Sequence, residues 1–97
     1  MVILHVRHSF PNAAQRDAYY GDLTAAEIIS ASKAENGCLQ YEYFFSADTD
    51  NELFLAEIWE TEEALEAHHQ TPHFKSIPTI AKKYDKTTKV LKYTVVD

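Results

Sequence analysis

Residues 52–60 read ELFLAEIWE, and the fold turns on them. Alternation with a period of two puts Leu53, Leu55, Glu57 and Trp59 on one face of a strand, with Phe54, Ala56 and Ile58 on the other. Both faces are mostly apolar, so this strand is expected inside a sheet that is covered on both sides. The chain has 97 residues, enough for a single domain over 1–97 with one modest core. Helices can cover one sheet face. The other is expected to meet a second copy of the chain.

Working outward, residues 38–46 form the hairpin partner, with Leu39, Tyr41, Tyr43 and Phe45 on one face and Gln40, Glu42 and Ser46 opposite. The turn at 47–51 consists of side chains that bond their own backbone. A first strand alternates Val2, Leu4, Val6 and Phe10 against Ile3, His5, Arg7 and Ser9, and Pro11 ends it. Asn12 is then placed to cap a helix. Tyr19, Leu23, Ala26 and Ile29 make its stripe, widened by Tyr20, Thr24 and Ile28. Gly21 costs this helix ~1 kcal/mol relative to Ala and is expected to bend or split it near Asp22. Asn36-Gly37 stops it.

Downstream, Thr61 caps a second helix whose first turn carries Glu62 and Glu63. Thr71-Pro72 restarts the chain as a shorter helix bearing Phe74, Ile77, Ile80 and Tyr84, which Pro78 is expected to kink or interrupt. A last strand over 88–96 presents Leu91, Tyr93 and Val95. The order is β-α-β-β-α-β with a split second helix. This predicts an α+β, ferredoxin-like fold with an antiparallel sheet.

The formal net charge is −6, and it is unevenly spread. Residues 1–74 hold 3 basic and 13 acidic side chains; residues 75–97 hold 6 Lys and 2 Asp. An acidic body with lysines scattered along a helix and a strand is not a nucleic-acid motif. No apolar run approaches the ~20 residues needed to span a bilayer, and MVILHVRHSF does not read as a signal peptide. A soluble, cytoplasmic protein is expected. The single cysteine, Cys38, excludes an internal disulfide and reads as a small, buried residue in a reducing compartment.

The chemistry-bearing residues cluster late. His68, His69 and His73 fall within six positions. At ~100° per residue, Leu65, His68 and His69 share about one quadrant of a helix, so at least one imidazole faces inward. His68 is the natural candidate, with His69 nearer the rim. His73 opens the next helix, where the dipole keeps its ring neutral. Adjacent histidines diverge and Pro72 separates the third, so a three-His metal site is not expected; Glu66 or Glu57 would have to complete any ligand set.

If the face of Leu53 and Leu55 looks toward the helices, Glu57, Trp59 and a histidine converge. Burial would raise the Glu57 pKa and a nearby His would lower it, and such a pair can move protons near neutral pH. The alternative is structural: Glu57 accepts from backbone or from Trp59, and His68 is a satisfied core histidine. Tyr19, Tyr20, Tyr41, Tyr43, Phe74 and Tyr84 singly read as packing, and together they suit a planar aromatic ligand.

Three segments together resemble a known family: Gly37-Cys38-Leu39 with Tyr41; Phe54, Ala56, Glu57 and Trp59; and Glu63-Ala64-Leu65, His68 and Thr71-Pro72-His73-Phe74. The chain is similar to the antibiotic biosynthesis monooxygenase domain, a family that includes quinol monooxygenases and an isomerase of a phosphorylated autoinducer-2 signal. The resemblance implies a dimeric α+β barrel, two sheets packed face to face, and one pocket per subunit between sheet and helices. It implies oxidation of a small aromatic or quinol-type substrate by O2 without metal, flavin or haem, through a deprotonated substrate that itself gives an electron to oxygen.

By that resemblance Trp59 lines the pocket, His68 or His73 bonds or deprotonates the substrate hydroxyl, and Glu57 orients one of them. Phe74 is an apolar wall, and Tyr43, Leu55 and Tyr19 are further substrate contacts. His5, Arg7 and His8 occupy the first strand where many relatives carry an Asn. Lys75-Ser76-Ile77 stands where haem-degrading relatives place an axial His, so haem is not implied.

Two other functions are compatible with the residues. Arg7, Lys82, Lys83 and Lys86 motivate an isomerase or degradation enzyme for a small phosphorylated signal. A non-catalytic binding module would show a cavity under ~300 Å³, filled by the protein's own aromatics, with His68 and Glu57 bonded to each other.

Overall fold

The computed structural model describes residues 1–96. The elements run β1 (Val2–Ser9), α1 (Ala13–Ala25), α2 (Ile28–Lys33), β2 (Cys38–Phe45), β3 (Glu52–Trp59), α3 (Glu62–His69), α4 (Pro72–Ala81) and β4 (Thr87–Thr94). The strands form one sheet in the order β2-β3-β1-β4 with every neighbour antiparallel, the ferredoxin-like α+β arrangement.

Strand β3 alternates as its sequence demands: Leu53, Leu55, Glu57 and Trp59 are buried under the helices. Leu55 and Trp59, with Val2, Leu4 and Val6 of β1 and Tyr41 of β2, pack against Leu65 of α3. A second cluster, Phe10, Tyr19, Leu23, Ile28 and Leu53, ties α1 and α2 to the sheet, with Ile77 and Ile80 of α4 against it. Asn12, Thr61 and Thr71 cap α1, α3 and α4, each side chain accepting from a backbone N–H three residues on.

Four local expectations are corrected. Helix α1 runs straight through Gly21; the split falls at Glu27, whose backbone is left-handed at φ 60°. Ala26, at the cap, is exposed and leaves the stripe. Helix α4 continues through Pro78, and Lys82 N–H donates to the Pro78 carbonyl at 3.1 Å; the lost bond is that of Pro78 itself, which has no N–H for the Phe74 carbonyl. In β2 the ladder jumps from Cys38↔Trp59 to Gln40↔Ile58, so Leu39 is an extra residue turned outward and exposed, while Cys38 faces in.

The far sheet face carries Ile3, His5 and Arg7 beside Phe54, Ala56 and Ile58, and Lys89, Leu91 and Tyr93 of β4 on the other flank. The His5 ring stands between Phe54 at 5.3 Å and Tyr93 at 5.4 Å. Among the described residues no helix covers this face. In β4 it is Val90, opposite Val6, that looks to the helix side, while Leu91 and Tyr93 look away.

Candidate active site

The site is assembled where α2 hands over to β2. Gly37 has φ +85°, and a Cβ there would stand 2.7 Å from Ala64 Cβ, so α3 seats directly on a glycine backbone. Glu60 N–H donates to the Gly37 carbonyl at 2.8 Å, and Cys38 N–H to the Glu35 carbonyl at 3.1 Å. This knot directs Glu35 at the two helices that follow β3. Its Oε2 accepts from His68 Nδ1 at 2.6 Å and from His73 Nε2 at 2.7 Å.

A carboxylate only accepts, so His68 carries its proton on Nδ1 and leaves Nε2 as a lone pair. The ring is buried and packed by Trp59 at 4.7 Å, Phe74 at 5.1 Å and Tyr41 at 5.5 Å. Burial holds the His68 pKa below its usual value, opposed by the Glu35 hydrogen bond and charge. A neutral imidazole fixed by an acidic partner is the arrangement of a general base.

Glu57 takes the structural part given above as the alternative, not the orienting part that the family resemblance implied. It bonds no histidine; Trp59 Nε1 donates to its Oε1 at 3.0 Å. Burial raises the Glu57 pKa, the Glu35 charge adds to the rise, and the Trp59 bond opposes both. Trp59 is fully buried, a layer behind His68 rather than at the cavity wall, and His73 also stays off that wall, bonded to Glu35.

The cavity itself is partly enclosed, with a volume of about 240 Å³. Of the residues singled out in the sequence, His68, Glu57, Phe74, Tyr43, Leu55 and Tyr19 line it. So do Tyr41 of the aromatic set and Lys86 of the cation set, together with His8, His69, Ile77 and Val90, which were given no ligand contact. The His69 ring lies 4.7 Å from that of Phe74, tilted against it, at the rim. Burial pushes the Tyr19 phenol up to about 12 and raises Tyr41 and Tyr43 further, so all three stay protonated and can donate. A larger hollow, about 790 Å³, is an open dish beside the β2–β3 turn.

Of the four cations that suggested a phosphate ligand, only Lys86 reaches the cavity. Arg7 points to the far face, 3.8 Å from Glu52, and Lys83 is held by Asp22 at 2.8 Å. Glu35, His68 and His73 do bring two imidazole nitrogens and one carboxylate oxygen within 4.8 Å of each other, a donor set the histidine spacing alone did not suggest. Metal bonds of ~2.0–2.1 Å would need donor atoms about 3.3 Å apart in a tetrahedral site. The separations of 2.6 and 2.7 Å are those of hydrogen bonds, so an ion would have to spread the triad.

A neutral imidazole thus stands at a small, partly enclosed cavity between a sheet and its helices, the kind of concave site at which proteins in general hold small organic ligands. Comparison narrows the class: the family model for antibiotic biosynthesis monooxygenase matches residues 1–77, and the chain belongs to that family. It is 33% identical over 51 residues to Putative monooxygenase YcnE of Bacillus subtilis, covering 53% of this chain and 54% of that protein. The chain's matches span about a third to a half of the length of its curated relatives. Rv0793 from Mycobacterium tuberculosis superposes with a TM-score of 0.79 at 26% identity, over 100% of this chain and 97% of that one. A variant of SnoaB, a cofactor-independent oxygenase from Streptomyces nogalater, shares the fold at TM-score 0.74 and 15% identity, over 99% and 93%.

Proposed function

We propose that this protein is a cofactor-independent monooxygenase that oxidises a small hydroxyaromatic, quinol-type substrate with O2. The observation that carries the proposal is the Glu35–His68 pair, which leaves an imidazole lone pair as proton acceptor beside a cavity walled by Phe74, Tyr43 and Leu55. His68 Nε2 takes the substrate's hydroxyl proton, and the electron-rich anion reduces O2. For a dihydroxynaphthalene the overall change is C10H8O2 + O2 → C10H6O3 + H2O, a hydroxyquinone plus water. The apolar walls keep bulk water from the reacting anion.

Oxygen uptake with dihydroxynaphthalenes, abolished in His68→Ala, is the test. No uptake with any electron-rich hydroxyarene would overturn the assignment. One observation favours non-catalytic binding instead: the cavity is smaller than the ~300 Å³ at which drug-sized ligand pockets begin. Tight binding of the same arenes without uptake would establish that reading.

The working unit in this proposal is a homodimer closed over the far sheet face. The His5–Phe54–Tyr93 cluster supplies an apolar centre, with Arg7 and Lys89 against Glu42 as charges of both signs. Light scattering would report a dimer for the wild type and a monomer for Phe54→Lys; a wild-type monomer would refute it.

A further inference from the structure

The cavity has a second polar side that the proton acceptor does not use. His8 of β1 lies opposite Thr88 of β4, and His8 Nδ1 meets Thr88 Oγ1 at 2.8 Å. Lys86 Nζ donates to that same Oγ1 at 3.0 Å. An ammonium can only donate, so the hydroxyl is free to pass its own hydrogen to His8 Nδ1. The run Lys86→Thr88→His8 then leaves the His8 proton on Nε2, the reverse of the tautomer at His68. The His8 ring stands edge-on to Tyr19 at 5.5 Å, and Lys86 Nζ lies 5.7 Å from the same Tyr19 ring. Among the described residues no carboxylate comes within ion-pair distance of Lys86, although it is half-buried at the cavity wall.

We propose that Lys86, Thr88 and His8 form an acceptor-oxygen subsite, which binds a carbonyl or oxyanion of a hydroxyarene whose hydroxyl group is held by His68. The inference rests on the reading of the cavity as a hydroxyarene site, and it names the substrate class more closely: arenes with a second oxygen function remote from the hydroxyl. One imidazole presents a lone pair and the other an N–H, backed by an ammonium without a counter-ion. A plain phenol would leave the N–H of the buried His8 ring without a partner, which is costly. The neutral state of His8 agrees with this: burial first, and the Lys86 charge second, lower its pKa to about 4.

The test is anaerobic NMR titration with two probes of one shape, 4-methylphenol and 4-hydroxybenzaldehyde. The aldehyde should bind the wild type about tenfold more tightly than the methylphenol. His8→Phe should abolish most of that preference, read as the ratio of the two affinities, while His8→Gln, whose amide N–H stands in for Nε2–H, should restore it. Lys86→Met should weaken 4-hydroxybenzoate by about tenfold. Nitrogen-15 shifts should place the proton of His8 on Nε2 and that of His68 on Nδ1. A preference that survives His8→Phe, a proton on His8 Nδ1, or binding of neither probe would overturn the subsite. The preference without any oxygen uptake would remove the oxygenase reading and leave the subsite standing.

Discussion

Glu35→Gln tests the centre of the site, because it keeps shape while removing charge. In the wild type one carboxylate oxygen accepts from His68 at 2.6 Å and from His73 at 2.7 Å, with the Glu35 side chain 12% exposed. Hydrogen bonds to a charged acceptor contribute ~1.5–3 kcal/mol against ~0.5–1.5 for neutral pairs. Two such bonds weakened by ~1 kcal/mol each amount to about 2 kcal/mol. For a domain of this size that lowers Tm by roughly 8–16 °C. The imidazole also loses the group that favours its charged form, while the burial that disfavours that form persists. The acid limb of the kcat/KM profile for oxygen uptake should therefore move to lower pH, with kcat down about 10²-fold as the base weakens. Thermal melts and an oxygen electrode measure both. A Tm change under about 3 °C, or an acid limb that stays put or moves up, would refute the assignment of Glu35 as the positioning residue for His68.

Acid should destabilise the protein through His8. Its pKa is about 4 folded against 6.5 for an unperturbed ring, so between those values the unfolded chain binds a proton that the folded one does not. That stability is fully present above pH 6.5 and is lost as pH falls toward 4, about 3 kcal/mol in all, and urea melts of His8→Gln should show a flatter dependence. Gly37→Ala should cost about 2–4 kcal/mol, from a positive φ and from the clash with Ala64; adding Ala64→Gly should recover the steric part alone. Treatment with a chelator should leave Tm unchanged, and a fall would assign Glu35, His68 and His73 to a metal.

What was legible in the sequence was whatever period and capping encode. The alternation of β3 with Leu53, Leu55 and Trp59 turned inward, the Thr71-Pro72 restart and the inward turn of His68 all follow from side-chain spacing, and the structure places them so. Glu35 was not legible. It stands 33 residues before His68, in an ordinary helix-ending run of Ala-Glu-Asn-Gly, and only the packing of α3 on Gly37 brings the two together. Glu57 shares a strand face with Trp59, and the structural alternative in which it accepts from Trp59 is the one the structure shows. His8 was seen as a departure from a family pattern, and its role depends on a β1–β4 register that periodicity does not fix. Gly21 and Pro78 show the same limit from the other side: tertiary packing outweighs a penalty of ~1 kcal/mol for glycine, and α4 tolerates its proline.

The extra residue at Leu39 has a consequence for how the site tolerates change. A strand's side chains alternate, so one inserted residue reverses the phase of everything on its N-terminal side. Because of it Cys38 and Tyr41 face the same way, and Gly37 meets α3 with Glu35 just behind. Leu39 is exposed and does not line the cavity, yet it acts as a spacer that sets where the carboxylate lands. Substitutions there should be nearly silent, whereas a one-residue deletion would carry Glu35 away from His68. The site is thus more sensitive to the length of its edge strand than to that strand's composition.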